Sequence, residues 1–160
     1  MTVHCDGRVV VVLPETTPLD AAEAIFRQHF RWIVVQLEKF RRFRDHVFLP
    51  RGRREYLARR EEARDLANSL LRQLNSGGRW RYKRVAIKDL RRNWGSCSRL
   101  GNLNFNYRLI HLPIRLAEYV VAHELCHLEV FNHSSRFWSL LGSLVPDWRD
   151  RRRELRRYHP

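Results

Sequence analysis

The sequence predicts a globular fold that contains both α-helices and β-strands. In several segments apolar side chains recur every three or four residues, which is typical of a helix with one buried side. Other segments are short runs of β-branched or alternating residues bounded by turn-forming residues, which is typical of strands. The chain has 160 residues, of which 44% are apolar and 30% charged. That length and composition favour one soluble domain over residues 1–160 with a hydrophobic core.

The first elements are a strand and a helix. Residues 2–14 include the β-branched run Val9–Val12 after the turn-prone pair Asp6–Gly7, which predicts a strand in a hairpin. A helix is expected from Thr17–Pro18 to about Phe40, since a capping hydroxyl and a proline precede apolar residues at helical spacing. This part of the fold belongs to an N-terminal strand–helix region, 1–75.

The remaining elements follow in the same way. A second helix is predicted from about Glu55 to Leu74, where Asn75–Gly78 ends it. Three strands are predicted next, over residues 83–90, 94–98 and 103–110, and the turn at 99–102 joins the last two as neighbours in a meander. The final predicted elements are helices over 114–130 and 134–144, and a basic helix or tail over 148–157.

The charge of the chain has two interpretations, and composition alone does not choose between them. The net charge is +14, and only three of the 31 basic residues are lysine. Codon bias would enrich arginine anywhere on the surface, whereas a functional basic surface would attract polyanions. The second interpretation points to six arginines near the C-terminus, which could bind nucleic acid: Arg149, Arg151, Arg152, Arg153, Arg156 and Arg157.

Location and redox state follow from two further patterns. No apolar run is long enough to span a bilayer, and the N-terminus lacks a secretion signal, so we expect a cytoplasmic protein with no membrane partner. In that reducing environment Cys5, Cys97 and Cys126 are expected to remain free thiols. The sequence leaves the oligomeric state open.

The residues with the clearest chemistry form the motif His123-Glu124-Leu125-Cys126-His127. On a helix, residues four apart lie on one face, so both imidazoles can bind one tetrahedral Zn²⁺ at about 2.0–2.1 Å. Glu124 is well placed as a general base toward water activated by the metal. The spacing therefore predicts the zinc site of a metallohydrolase.

A third ligand candidate follows the motif. His133 comes six residues after His127, beyond the helix-breaking Asn132, where a turn can bring its ring back toward the metal. Three protein ligands would leave one position open for water or substrate. Cys126 faces away from the ligands by helical phase, so we expect it in the core, and His111 is expected in a surface loop.

The motif lies within a longer set of short matches in a fixed order, which together cover about residues 84–150. These are Asn93–Ser98, Gly101–Asn104, Tyr107–Ile110, Tyr119–His127, Asn132–Ser134 and Phe137–Trp138. In these segments the chain resembles the YgjP-like metallopeptidase family, related to the SprT-like zincin proteases. Members usually carry arginine before the tryptophan of the first segment, where this chain has Asn93.

The resemblance implies an α+β zincin-type metallopeptidase domain, with an antiparallel sheet and the HExxH helix packed on it. It implies a metal-binding core over 83–150, zinc held by His123, His127 and His133, and Glu124 as general base. A peptide or protein is then the expected substrate. Trp94 and Gly95 are expected to pack a strand closely against the metal helix, and Phe137 and Trp138 to form the core under the site.

Substrate contacts and the reaction itself leave several hypotheses. An extended peptide would add to strand 103–110, with Asn104, Asn106 and Arg108 facing substrate or solvent. Tyr107, Arg108 and His111 are candidates for stabilising the oxyanion. Two alternatives to a peptidase stay open, namely a metal-dependent nucleotide pyrophosphohydrolase and a DNA-associated protease or nucleic-acid-binding protein. The pyrophosphohydrolase is disfavoured because phosphoryl chemistry more often uses Mg²⁺ held by carboxylates.

Overall fold

The computed structural model describes residues 1–3, 8–14, 17–43 and 47–160. It contains both helices and strands, which confirms the α+β prediction. The chain divides into two compact units, Met1–His46 and Val47–Pro160. The single domain over 1–160 stays a prediction, and each unit is described by itself.

The first unit contains strand β1 (Thr2–Val3), strand β2 (Val9–Val10) and helix α1 (Leu19–Phe43). The two strands pair antiparallel, as predicted for a hairpin. Its expected turn at Asp6–Gly7 lies outside the described residues, as does Cys5. The helix ends three residues later than the expected position, Phe40.

The second unit contains all the elements that follow, including one 3₁₀-helix at Tyr107–His111. In chain order they are β3 (Val47–Phe48), α2 (Arg53–Leu74), β4 (Arg84–Lys88), β5 (Gly95–Cys97), β6 (Asn102–Asn106), then after the 3₁₀-helix α3 (Ile114–Cys126), α4 (Ser135–Leu144), α5 (Trp148–Leu155) and β7 (Tyr158–His159). Strands β3 and β7 pair with each other in parallel. The helices and strands predicted over 55–157 are therefore present, although their ends differ by a few residues.

The main sheet has three strands in the order β4-β6-β5. Strands β5 and β6 form the predicted antiparallel hairpin. The prediction of an antiparallel sheet is wrong for the other pair, since β4 lies parallel to β6. The reason is that β5 reverses the chain and packs on the far edge of β6, so that β4 and β6 run in the same direction.

The central strand β6 ends earlier than predicted, at Asn106 rather than at residue 110. The Asn106 side chain is buried, and its amide donates hydrogen bonds to the carbonyl oxygens of Leu90 and Asn93 at 2.7 and 3.0 Å. Its Oδ1 accepts the backbone N–H of Arg108 at 3.2 Å, as a helix cap does. This cap turns the chain out of the sheet and into the 3₁₀-helix.

The core of the second unit lies between helix α3 and the sheet, with α2 packed beside them. Leu103 and Phe105 of β6 are fully buried, as are Val121 and Leu125 of α3. Helix α3 is thus packed on the sheet as predicted, which fixes the HExxH segment on a rigid support. Among the described helices, none is both long and apolar enough to cross a membrane.

Candidate metal centre

Three histidines converge at one end of helix α3. The Nε2 atom of His123 lies 3.1 Å from that of His127 and 3.1 Å from that of His133. Each ring offers one nitrogen, and these three atoms lie within 4.8 Å of one another. Among the described residues, this is the one group of histidine, cysteine or acidic side chains that could hold a metal ion. The structure therefore brings together the three residues that were predicted as ligands.

The local fold explains how His133 reaches the other two. Helix α3 was expected to continue to about Val130, but it ends at Cys126, with His127 as its C-terminal cap. The chain then tightens into a turn in which the N–H groups of Leu128 and Val130 donate to the carbonyls of Leu125 and Cys126 at 3.0 and 2.9 Å. Because this turn closes on the last turn of the helix, the following loop returns to the face that carries His123.

The electrostatics of the rings suit metal binding. Burial, and then the neighbouring His127 and His133, lower the pKa of His123 to about 3. Burial also lowers the pKa of His127. Nδ1 of His127 lies 3.0 Å from the carbonyl oxygen of Val130, so a proton held there leaves the Nε2 lone pair free. Neutral imidazoles with converging lone pairs are the form in which histidine binds metals.

The donor geometry also fits a zinc ion. With Zn–N bonds of about 2.0–2.1 Å, two nitrogens of a tetrahedral site lie about 3.3 Å apart. The two Nε2 distances of 3.1 Å from His123 are close to that value. Imidazole nitrogen suits zinc, whereas Mg²⁺ and Ca²⁺ prefer oxygen ligands.

Aromatic rings support the three histidines. Phe137 is fully buried, and its ring centroid lies 4.6–4.9 Å from those of all three histidines. Trp138 is half-buried and stacks on His133 at 5.4 Å. The expectation of a core under the site is confirmed for Phe137, while Trp138 also reaches the surface.

A cavity of about 280 Å³ adjoins the histidines on the side of Glu124. It is lined by Arg92, Asn93, Trp94, Gly95, Tyr119, Val120, His123, Glu124 and Leu155. The Glu124 side chain is only 6% exposed, and burial raises the pKa of its carboxyl group to about 8. A carboxyl group beside three histidines that could hold a metal ion, in one cavity, is an arrangement found in metal-dependent hydrolases.

Gly95 of strand β5 contacts the Glu124 side chain directly. A Cβ atom added to Gly95 would lie 2.7 Å from Cγ and 2.8 Å from Oε1 of Glu124. The expectation that this strand packs closely on the metal helix is therefore confirmed. The contact involves the carboxylate itself, so the strand also restricts where Glu124 can point.

The three candidates for an oxyanion donor lie elsewhere. Tyr107 is fully buried, and its hydroxyl donates to the carbonyl oxygen of Pro50. Arg108 is 3% exposed, is paired with Asp89 at 2.9 Å, and also donates to Pro50. Nε2 of His111 lies 3.5 Å from Glu55. None of these side chains lines the cavity. Tyr107 and Arg108 were predicted in a strand that ends at Asn106, and His111, expected in a surface loop, is the last residue of the 3₁₀-helix.

The predicted peptide-binding strand is likewise not available. Strand β6 pairs with β4 on one side and with β5 on the other. Where these strands pair, a peptide cannot form backbone hydrogen bonds with β6. Asn106 and Arg108 are buried rather than facing substrate or solvent. Cys126 is fully buried, as predicted for a core residue.

Three residues of the cavity lining were not predicted from the sequence: Arg92, Tyr119 and Leu155. Tyr119 precedes His123 by four residues, and its ring centroid lies 6.0 Å from that of His123. The four-residue spacing on α3 was a usable signal for Tyr119. Arg92 and Leu155 gave no such signal, since they come from a loop and from α5.

The six C-terminal arginines differ in their surroundings. Arg151 is largely enclosed and bonded to Glu118 and Asp147. Four others occur on one face of α5 and, with Trp148, line a surface depression of about 250 Å³: Arg149, Arg152, Arg153 and Arg156. Arg157 follows the end of the helix. The predicted basic segment is therefore only partly available to a ligand.

Two solved structures are similar to this chain. One is the metallopeptidase zymogen abylysin of Pyrococcus abyssi, with 24% identity and a TM-score of 0.47 over 59% of this chain and 92% of that one. The other is the metallopeptidase zymogen jannalysin of Methanocaldococcus jannaschii, with 21% identity and a TM-score of 0.47 over 58% and 92%. A search of curated proteins gave no significant match.

The family comparison covers most of the second unit. The model of the YgjP-like, metallopeptidase domain matches residues 51–158, which include the three histidines, Glu124 and the sheet. Such a domain is a metal-dependent hydrolase that acts on peptide or protein substrates. The chain therefore belongs to the YgjP-like metallopeptidase family.

Proposed function

We propose that this chain is a zinc-dependent peptidase in which His123, His127 and His133 hold the metal and Glu124 is the general base. The observation that carries the proposal is the convergence of three Nε2 atoms beside a cavity that also contains the Glu124 carboxylate. A bound zinc ion would supply a lowered pKa for a coordinated water and would polarise the carbonyl of the scissile bond. Three protein ligands leave one coordination position for this purpose.

In this mechanism Glu124 moves the protons. A carboxylate oxygen of Glu124 accepts a proton from the attacking water, and the same oxygen then donates a proton to the nitrogen of the leaving amine. Gly95 restricts the side chain to positions near His123, which favours correct orientation of the carboxylate. The low exposure of Glu124 reduces competition from bulk water.

Strand β5 is the best-supported position for the peptide. It is at an edge of the sheet, and its first residue, Gly95, contacts Glu124. An extended peptide that hydrogen-bonds to this edge would have its backbone beside the cavity. This assignment replaces the strand over 103–110 that the sequence suggested.

The donor set favours a peptidase over a nucleotide pyrophosphohydrolase. Three imidazoles suit zinc, while nucleotide pyrophosphate hydrolysis more often uses Mg²⁺ bound by carboxylates. Among the described residues, the three histidines are the one group that could hold a metal ion. Nucleic acid binding remains a hypothesis that the basic face of α5 raises, and it is tested below.

Metal analysis combined with a peptide digest tests the proposal. Protein purified without added metal should contain about one zinc per chain, and it should cleave a proteome-derived peptide library until a chelator is added. Glu124→Gln should retain zinc and lose about 10²–10⁴-fold in kcat. His133→Ala should lose both zinc and activity.

A matched control is available for the histidine variant. His29 is exposed on α1, and its ring contacts the carbonyl oxygen of Ile25 at 2.9 Å. His29→Ala should therefore leave zinc content and cleavage unchanged. Full activity of Glu124→Gln, or cleavage of nucleoside triphosphates in place of peptides, would refute the proposed function.

A further inference from the structure

The basic face of helix α5 carries arginines without acidic partners. We use "basic face" for Arg149, Arg152 and Arg156, which repeat at helical spacing and are exposed. The acidic residues of the helix are engaged with other arginines, Asp150 with Arg153 and Glu154 with Arg115. In the part of the chain that the structure describes, no ion pair engages the basic face itself.

Two residues of the basic face are held by stacking on tryptophans. The guanidinium carbon of Arg149 lies 4.7 Å from the ring centroid of Trp148, and that of Arg152 lies 4.9 Å from the ring centroid of Trp138. The two tryptophan rings stack on each other at 4.4 Å. A stacked guanidinium keeps its N–H donors directed outward, and it loses less conformational freedom on binding than a free one.

The basic face borders the candidate metal centre. Trp138, under Arg152, also stacks on His133. Leu155, which lies between Arg152 and Arg156 in sequence, lines the same cavity as Glu124.

The cavity itself adds a fourth exposed arginine. Arg92 lines it and has no ion pair within the described residues. Glu124 is the one acidic residue in the lining of this cavity. Trp94, Val120 and Leu155 provide apolar surface beside these charges. A pocket with apolar walls and a guanidinium group in its lining, with the basic face nearby, is suited to the side chains of acidic residues.

From these observations we propose that the basic face of α5 and Arg92 select peptide substrates with acidic residues beside the scissile bond. The proposal rests on the proposed peptidase function and adds the substrate class to it. Carboxylate side chains of the peptide would pair with the guanidinium groups, in places bidentately. An acidic peptide is favoured over nucleic acid because Arg92 lines the cavity of Glu124 and Arg152 stacks on the tryptophan that contacts His133, so both lie close to where the cleaved chain must bind.

Direct binding tests the proposal separately from turnover. Fluorescently labelled peptides of equal length, rich in glutamate, glutamine or lysine, are titrated into zinc-loaded Glu124→Gln protein at low and high salt. The glutamate-rich peptide should bind most tightly, and its affinity should fall as salt rises. In the same background, Arg152→Gln combined with Arg156→Gln should weaken that binding by about tenfold, as expected for two exposed ion pairs.

The control variant removes the same charge from another helix. Arg53→Gln combined with Arg72→Gln changes two exposed residues of α2 that do not line the cavity. Its affinity for the glutamate-rich peptide should change by less than twofold. Equal effects of the two double variants would overturn the proposal, because they would mean that only net charge matters. Melting temperatures of both variants show whether the fold is retained.

Two further outcomes would also overturn the proposal. One is equal affinity for the acidic, neutral and basic peptides. The other is a single-stranded oligonucleotide of the same charge that binds the basic face more tightly and is not displaced by the acidic peptide. Failure of the peptidase function gives a different result, since zinc-loaded wild-type protein would then cleave no peptide while the binding preference could still be measured.

Discussion

Replacing Gly95 by alanine is the most direct test of how strand β5 positions Glu124. The new Cβ would lie 2.7 Å from Cγ and 3.0 Å from Cδ of Glu124, whereas carbon atoms in contact are about 3.5–4.0 Å apart. One side must therefore move by about 0.8 Å or more. The strand is fixed by its pairing with Phe105, a fully buried residue, so we expect the Glu124 carboxylate to move.

The expected magnitude follows from this displacement. A shift of about 1 Å in a catalytic group can cost about 10²-fold in rate, so kcat/KM of Gly95→Ala should fall by about two orders of magnitude. The crowding should also lower the free energy of unfolding by about 1–3 kcal/mol. Zinc content should not change, because none of the three histidines is among the nearest atoms to the new Cβ.

The assay is cleavage of the best peptide from the library, with zinc measured on the same samples. Gly77→Ala is the matched control, since no atom lies within 4 Å of the Cβ that it would add. It should keep kcat/KM within twofold. A Gly95→Ala protein with wild-type kcat/KM would refute the positioning role, and one that loses zinc in proportion to activity would indicate a purely structural role.

Two more predictions concern the sheet next to the site. Asn106→Ala should lower the free energy of unfolding by about 2–4 kcal/mol, because buried carbonyls and the Arg108 N–H lose their partner. Urea unfolding measures this loss, with Asn104→Ala as the control. That substitution should lower the free energy of unfolding by less than about 1.5 kcal/mol, because the half-buried amide of Asn104 bonds only to Ser96 among the contacts described. Equal losses for the two variants would contradict the capping role of Asn106. Burial, and to a lesser extent the nearby Glu124, raise the pKa of Cys97 to about 11. At pH 8 the fraction of Cys97 present as the reactive thiolate should therefore be roughly 100-fold lower than for an unperturbed thiol. Iodoacetamide should therefore label Cys97 much faster in guanidinium than in the native protein, as read by mass spectrometry, and equal rates would contradict this burial.

Local sequence patterns predicted much of the fold. Helix α2 was expected from about Glu55 and begins at Arg53, and the hairpin of β5 and β6 turns at the predicted position. At that turn Gly101 has a φ of 75°, a conformation that glycine adopts at low cost. The spacing of His123 and His127 likewise places both on one face of a helix. These features depend on residues within one or two turns of each other, so the sequence contains the information directly.

The tertiary structure decided features that depend on distant partners. Arg108 alternates with polar residues as if it faced solvent, yet it is buried because Asp89 and the Pro50 carbonyl lie beside it. The strand order places β6 in the centre, which moves the predicted peptide-binding edge to β5. The cavity beside the histidines is lined both by Arg92, from the loop before β5, and by Leu155 of α5, because these distant segments pack near α3. The sequence by itself thus predicted the three candidate metal ligands and the helix that carries two of them. Which strand and which charges border that helix was decided by long-range packing, which local periodicity does not encode.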